Sequence, residues 1–314
     1  MKKVGLIELQ AIKLVDNNGA NWTALRRQEP LVSKQILLPQ VESCGYQAEL
    51  INLKEGDEEI EFGTVVWRDK TLTKVLVGKE FDLDPRSMDL WAVTINYIQE
   101  REPACRIIRR IKQGGGQVVV GGSDAFADPD PYLQEGADAV VQDKSGAANQ
   151  AILDHFLATT NGNSLNAVKL ADGRQFKRNS PMSPERWPLP KLETVKACLG
   201  IDYWETKLPD NQVPIGSVMA DIGCDRHCDF CATPLYKLGY RPMTPETTLK
   251  WFATQKEAGA RSVICPSDQF LGRVLLKGGR EDILEIMQGI RDLDLVVLWG
   301  NGLELKKATV ALRF

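Results

Sequence analysis

Histidine is nearly missing from this 314-residue chain, which has only His155 and His227. Any imidazole ligand or proton relay must therefore be one of these two. Charge of one sign is missing as well: 39 Lys and Arg against 42 Asp and Glu leave a net −3, which gives no reason to expect a nucleic-acid partner. No apolar run approaches the length of a transmembrane helix, and Met1-Lys2-Lys3 leads straight into a strand-like run rather than a secretion signal. The expectation is a cytoplasmic protein with no membrane partner. Neither a GxGxxG turn nor a P-loop occurs in the first half of the chain, so the nucleotide cradles with the plainest signatures are excluded there. Seven cysteines, an odd number unevenly spread, argue for reduced thiols rather than a disulfide framework.

What is present is a soluble globular composition, 43% hydrophobic and 26% charged, over a length that suits two domains. Residues 3–9 read as a buried strand, and a polar stretch follows through Asp16 and Trp22. Apolar residues at helical spacing (Leu31, Ile36, Leu37, Val41) predict a helix over 31–44 that stops at Gly45. Residues 47–53 alternate like a strand, and 63–67 with 71–77 predict a hairpin or insertion. Strands over 89–95, 117–120 and 137–141 then alternate with helices over 103–113, 131–135 and 146–157. That alternation predicts an α/β fold, a flavodoxin-like or Rossmann-like sandwich on a parallel sheet. Ligands in such sheets bind beyond the carboxyl ends of the strands, where Gly121, Gly122 and Ser123 stand. A Gly-Gly pair there serves equally as a tight turn.

Residues 161–214 are rich in Pro, Ser and Asn and read as a linker. The second domain is expected over 215–314. Its strand at 213–219 runs into Cys224-Asp225-Arg226-His227-Cys228-Asp229-Phe230-Cys231. Three thiols on one tight loop are soft ligands for an iron–sulfur cluster, zinc or copper(I). They leave a fourth coordination position to another group, where a structural zinc site takes four protein ligands. Zinc with His227 or Cys265 as fourth ligand is the alternative. Beyond the loop, Thr244-Pro245-Glu246 predicts a capped helix start. Strands over 261–265 and 295–298 and a helix over 279–293 complete a β-α-β-α-β order.

CxxxCxxC with Phe230 before the last cysteine resembles the signature of the radical S-adenosylmethionine (SAM) superfamily. Following an α/β domain and a proline-rich link, it is similar to the cobalamin-binding members of that family. The resemblance implies that Cys224, Cys228 and Cys231 hold a [4Fe–4S] cluster whose open iron chelates SAM. It implies that Phe230, Ser267, Asp268, Asn301 and Glu304 lie around SAM, and that Gly121, Gly122 and Ser123 meet cobalamin. The chain lacks the Asp-x-His-x-x-Gly motif, so no histidine is expected as the cobalt's lower ligand. Gln142-Asp143-Lys144-Ser145-Gly146 stands where relatives carry an acidic turn, and Ser267 where they often carry a second Asp.

The 100 residues from 215 to 314 suffice for about three βα units at about 30 residues each. A half-barrel is therefore expected, belonging to a truncated or split product that a second chain would complete. The implied activity is cobalamin-dependent methylation of an unactivated carbon in a small molecule or natural product, with flavodoxin or ferredoxin as electron donor. Rearrangement, methylthiolation and a non-catalytic cofactor-binding fragment are the alternatives.

Overall fold

The computed structural model describes residues 1–23, 28–158, 164–178, 180–202 and 208–311. Residues 161–163, 179 and 203–207 of the expected linker lie outside them. The chain opens with β1 (Lys3–Glu8), β2 (Ala11–Val15), α1 (Val32–Ser43), β3 (Gln47–Asn52), β4 (Glu59–Trp67) and β5 (Lys70–Val77). It continues with β6 (Leu90–Thr94), α2 (Arg101–Gln113), β7 (Val118–Gly121), α3 (Ser123–Ala127), α4 (Asp130–Gln134), β8 (Ala139–Val141) and α5 (Asn149–Leu157). β9 (Val168–Leu170), β10 (Gln175–Phe176) and α6 (Leu192–Ala197) follow.

One seven-stranded sheet runs β10-β9-β8-β7-β6-β1-β3, with the five strands from β8 to β3 parallel. Strands covered on both faces need apolar side chains on both, which is why 118–120 is Val-Val-Val and fully buried or nearly so. Trp91, Ile108, Ile111 and Tyr132 fill one face beneath α2 and α4, and α1 and α5 close the other over Val4, Leu90, Val119 and Ile152. α2 shows why these residues choose a helix. Ala104, Ile107, Ile108 and Ile111 form its buried stripe, with Glu102 in the first turn and Arg110 and Lys112 in the last to complement the helix dipole. The order reverses at β1, which pairs with β3 on one side and β6 on the other, so the switch point of the sheet lies between β1 and β6.

Two regions differ from the sequence reading. The stretch after β1 is polar only from Asp16 onward: Ala11–Val15 is a strand that joins β5 and β4 in a second, antiparallel sheet. Within 161–214, β9 and β10 extend the first sheet in antiparallel fashion. Both are too short, at three and two residues, to stand out from their polar surroundings.

The rest is a half-barrel: β11 (Ile215–Ser217), β12 (Asp221–Ile222), β13 (Arg241–Pro242), α7 (Pro245–Glu257), β14 (Ser262–Cys265), α8 (Gly279–Asp292), β15 (Val296–Trp299) and α9 (Leu305–Ala311). Strands β11-β14-β15 are parallel, and Trp251, Phe252, Val263, Ile283 and Ile286 pack between them and helices α7 and α8. The Thr244 hydroxyl caps α7 by accepting from the Thr247 amide at 3.2 Å. β12 and β13 form a two-stranded antiparallel ribbon whose connection carries the cysteines.

Gln35 of α1 joins the two halves. Its amide donates to Ser217 Oγ at 3.2 Å and accepts from Trp251 Nε1 at 3.1 Å and Gln255 Nε2 at 2.7 Å, all of them buried. Among the described residues, no helix is long and apolar enough to cross a membrane.

Candidate functional site

The cysteine loop leaves β12 through Gly223, at φ +78°, where a Cβ would lie 1.9 Å from the Gly239 carbonyl oxygen. Only glycine fits that approach. Cys224 and Cys231 are half-buried and Cys228 is exposed. The Arg226 amide points at Cys224 Sγ (3.4 Å), and the Cys231 amide donates to the Cys228 carbonyl at 3.1 Å. Among the described residues, no three His, Cys, Asp or Glu side chains are gathered closely enough to hold an ion. The three thiols thus share one accessible loop without converging, and a metal would draw them together as it bound. His227 is exposed within the loop. Cys265 is buried in β14, with its thiol 3.3 Å from Ser267 Oγ and its pKa pushed up to about 11 by burial. Phe230 is 93% exposed, so its ring is not packed into the described core.

Charged residues latch the loop from the far side. Arg226 pairs with Glu304, and Lys307 of α9 pairs with Asp225 and, at 3.1 Å, with Glu304. Glu304 is committed to that latch. Asn301 donates to the Pro266 and Ser267 carbonyls at 2.9 and 3.2 Å, holding the turn after β14 against the end of β15. Ser267 is turned inward, its hydroxyl accepting from the Ala220 amide at 2.9 Å. Asp268 accepts the Gly223 amide at 2.7 Å, and burial raises its pKa. Two residues before Gly223 sits Asp221, fully buried, its Oδ1 accepting the Gln269 amide at 3.0 Å while Oδ2 has no hydrogen-bond partner among the described residues. Burial pushes the Asp221 pKa up to about 7. Arg273 is buried beside it and donates through Nη1 and Nη2 to the Met243 and Ala220 carbonyls, at 2.6 and 3.0 Å, while its Nε has no hydrogen-bond partner among the described residues.

The second cluster of candidates lies where β7 ends. Gly122, at φ +105°, would place a Cβ 2.0 Å from the Ile95 carbonyl oxygen, so the backbone crosses here at a closeness no other residue allows. A Cβ on Gly121 would meet only Val141, at 3.8 Å, and so would project into open space. That space is a cavity of about 450 Å³ lined by Asn96, Gly121, Gly122, Ser123, Lys144 and Ser145 at the strand ends. It runs inward as an apolar slot between the sheet and helices α1 and α5, past Leu6, Leu37, Val119 and Ile152. Met219 and Asn301 of the half-barrel close its mouth. The cavity therefore belongs to both halves. A larger cavity of about 930 Å³ lies under the β2-β5-β4 sheet against α2, and Tyr97 lines both.

Sequence reasoning noted Lys144 as part of a departing turn but not as a site residue, and its Nζ donates to Ser123 Oγ at 3.0 Å inside the smaller cavity. It passed over Asp221 too, although an acidic residue three positions before Cys224 was there to be seen.

No protein-family model and no curated protein matches the sequence. Solved structures do match in fold. The radical SAM methyltransferase TsrM of Kitasatospora setae, solved with tryptophan and a SAM analogue, aligns over 93% of this chain and 52% of its own, with a TM-score of 0.60 and 13% identity. A second TsrM structure, with cobalamin and a [4Fe–4S] cluster, aligns over the same shares at a TM-score of 0.60 and 14% identity. OxsB, a cobalamin-dependent radical SAM enzyme solved with aqua-cobalamin, aligns over 93% of this chain and 37% of its own, with a TM-score of 0.65 and 15% identity. The chain thus spans about half of TsrM and less of OxsB. The fold is that of the cobalamin-dependent radical SAM enzymes: a parallel α/β sandwich followed by the first part of a (β/α) barrel.

Proposed function

We propose that this chain carries the cofactor-binding core of a cobalamin-dependent radical SAM methyltransferase acting on an unactivated carbon of a small molecule. The observation that carries the reading is a cavity shared by the two halves, lined by the glycine turn of the first and by Met219, ahead of the cysteine loop, and Asn301 of the second. The residues present fit the groups the fold implies. Three soft thiol donors on an accessible loop, leaving one coordination position to an outside ligand, match a [4Fe–4S] cluster held by Cys224, Cys228 and Cys231. Gly121, open to the cavity, and the slot behind it match a large, flat, partly apolar ligand such as cobalamin. When bound, these cofactors supply radical generation from SAM and transfer of a methyl group.

The chain's own part is to bind, orient and keep out water. Asp268 holds the Gly223 amide and so sets where the cysteine loop starts. The Arg226–Glu304 and Lys307–Asp225 pairs hold its far side. The Asp-x-His-x-x-Gly motif is missing, and neither His155 on α5 nor His227 in the cysteine loop is among the residues lining the smaller cavity, so cobalamin would bind without a histidine lower ligand from the first domain. Exposed Cys228 and Phe230 leave the loop open to a small electron donor of the flavodoxin or ferredoxin kind. The larger cavity, meeting the first at Tyr97, suits the substrate.

Anaerobic reconstitution tests the reading. The expected outcome is about four irons per chain, lost in Cys228→Ala, with a bound-cobalamin absorption spectrum when cobalamin is supplied. Zinc, or no metal, at the cysteines would overturn the radical mechanism, and a cluster without cobalamin uptake would overturn the methyltransferase assignment.

A further inference from the structure

Two charged residues line the smaller cavity, Asp143 and Lys144, both in the turn after β8. They differ in what they have left to offer. Asp143 is consumed within its own turn: Oδ1 accepts the Ser145 amide at 3.0 Å and the Ser145 hydroxyl at 2.7 Å, and Oδ2 accepts the Ala148 amide at 3.2 Å. Lys144 carries three N–H donors, and its one hydrogen-bond acceptor among the described residues is Ser123 Oγ, at 3.0 Å. The ammonium stands over the Tyr236 ring, 5.5 Å from the centroid, and no carboxylate of the described residues comes within ion-pair distance of it. Ser123 gathers a third side chain. Its amide donates to Asn96 Oδ1 at 3.3 Å, and Asn96, which lines the same cavity, keeps its Nδ2 as a donor. The Ser123 hydroxyl, having accepted from Lys144, keeps its own hydrogen to give. Donors therefore meet at the strand ends with a positive charge that no carboxylate there answers.

We propose that Lys144, Ser123 and Asn96 form an oxyanion site at the mouth of the smaller cavity, which takes the phosphodiester of a ligand whose apolar part enters the slot behind. A buried cation without a counter-charge is costly, and hydrogen bonds between an ammonium and an anionic oxygen are the strong kind. The layout of the cavity, polar and cationic at the strand ends and apolar past Leu6, Leu37 and Ile152, suits a ligand with one anionic group and one apolar body. A carboxylate shares the chemistry of a phosphodiester here, and the two are separated by experiment. That the phosphodiester is the one in the nucleotide tail of cobalamin rests on the function proposed above; the oxyanion site itself does not. Lys144 would then select complete cobalamin over corrinoids that lack the nucleotide.

Two titrations decide it. The first needs no cofactor: inorganic phosphate, and separately acetate, is added to the full chain while the Ser123 and Lys144 backbone amides are followed by nuclear magnetic resonance. Phosphate is expected to shift both amides saturably in wild type and Lys144→Arg and not in Lys144→Met, with Lys144→Gln as a second variant should the methionine protein fold poorly. No saturable shift with either anion, or the same shift in the neutral variants, overturns the site. Saturation by acetate alone makes the ligand a carboxylate and overturns the phosphodiester. The second titration compares the dissociation constants of hydroxocobalamin and of cobinamide, which keeps the corrin ring but lacks the nucleotide tail and its phosphodiester. Lys144→Met is expected to weaken cobalamin by about tenfold and cobinamide by less than about twofold. Equal weakening of both, or of neither, overturns the cobalamin phosphodiester as the occupant. Wild type that takes up neither corrinoid refutes the proposed function instead, and the phosphate titration still decides the oxyanion site.

Discussion

Glu8, at the end of β1, and Asp221, in β12, are both largely cut off from water, and they answer that burial in opposite ways. Desolvation pushes the Glu8 carboxyl up, but the ammoniums of Lys54, at 2.6 Å, and Lys34, at 3.0 Å, outweigh it and hold the pKa at about 2. Asp221 has a backbone amide and a nearby guanidinium that forms no ion pair with it, its Nη groups going to carbonyls, and burial wins, at about 7. Burial alone does not set the charge of a carboxyl; the counter-charge delivered by the fold does. The Glu8 cluster is built as a fixed ion network at the switch point of the sheet. Asp221 is kept on the edge of neutrality beside the candidate cluster loop.

Removing the charge of Glu8 should show the largest effect. Glu8→Gln leaves Lys34, which is fully buried, facing no carboxylate of the described residues within ion-pair distance, and a loss of about 3–5 kcal/mol in urea unfolding is expected. A loss below 1 kcal/mol would mean that the pairs barely offset their own desolvation. The acid limb comes next. A pKa lowered in the folded state gives stability that is complete above the unfolded value of about 4.5 and fades as pH falls toward 2, so about 2–3 kcal/mol should disappear over that window in wild type and not in Glu8→Gln. Asp221 has the reverse sign. Its raised pKa means that the folded chain holds a proton that the unfolded chain gives up between pH 4 and 7, so stability falls as pH rises through that range. Asp221→Asn should therefore gain about 1–3 kcal/mol at pH 8 and nothing below pH 4, read from thermal melts at the two pH values. The smallest effect is expected where water screens the pair: Lys250→Ala, which breaks the exposed Glu246–Lys250 bridge on α7, should change stability by less than about 0.5 kcal/mol.

The carboxyls that make this contrast carry no mark in the sequence. Glu8 is the last residue of an apolar run, and its partners lie 26 and 46 positions away, so only the folded sheet reveals the network. The same holds for Lys144 and Ser123, which are separated by 21 positions and meet at the strand ends. The strands and helices that carry them were legible because each is long enough to show its period: residues 89–95 as a strand and 103–113 as a helix fall within two residues of β6 and α2. Strands β9 and β10 were not, because two or three residues show no period, and β2 was masked by the Asp-Asn-Asn-Gly turn that follows it. The cysteines were legible for a different reason: ligands that share one loop must be close in sequence. Ser267 shows the limit of reading position alone, since its place at the end of β14 was evident but the inward turn of its hydroxyl, onto the Ala220 amide, was not.

The junction at Gln35 has a consequence for how the molecule comes apart. One side-chain amide serves Ser217, Trp251 and Gln255 at once, so opening the seam strands several buried polar groups together. Neither half can melt without stripping partners from the other, and a calorimeter should record one endotherm for the pair; Gln35→Leu should split it in two.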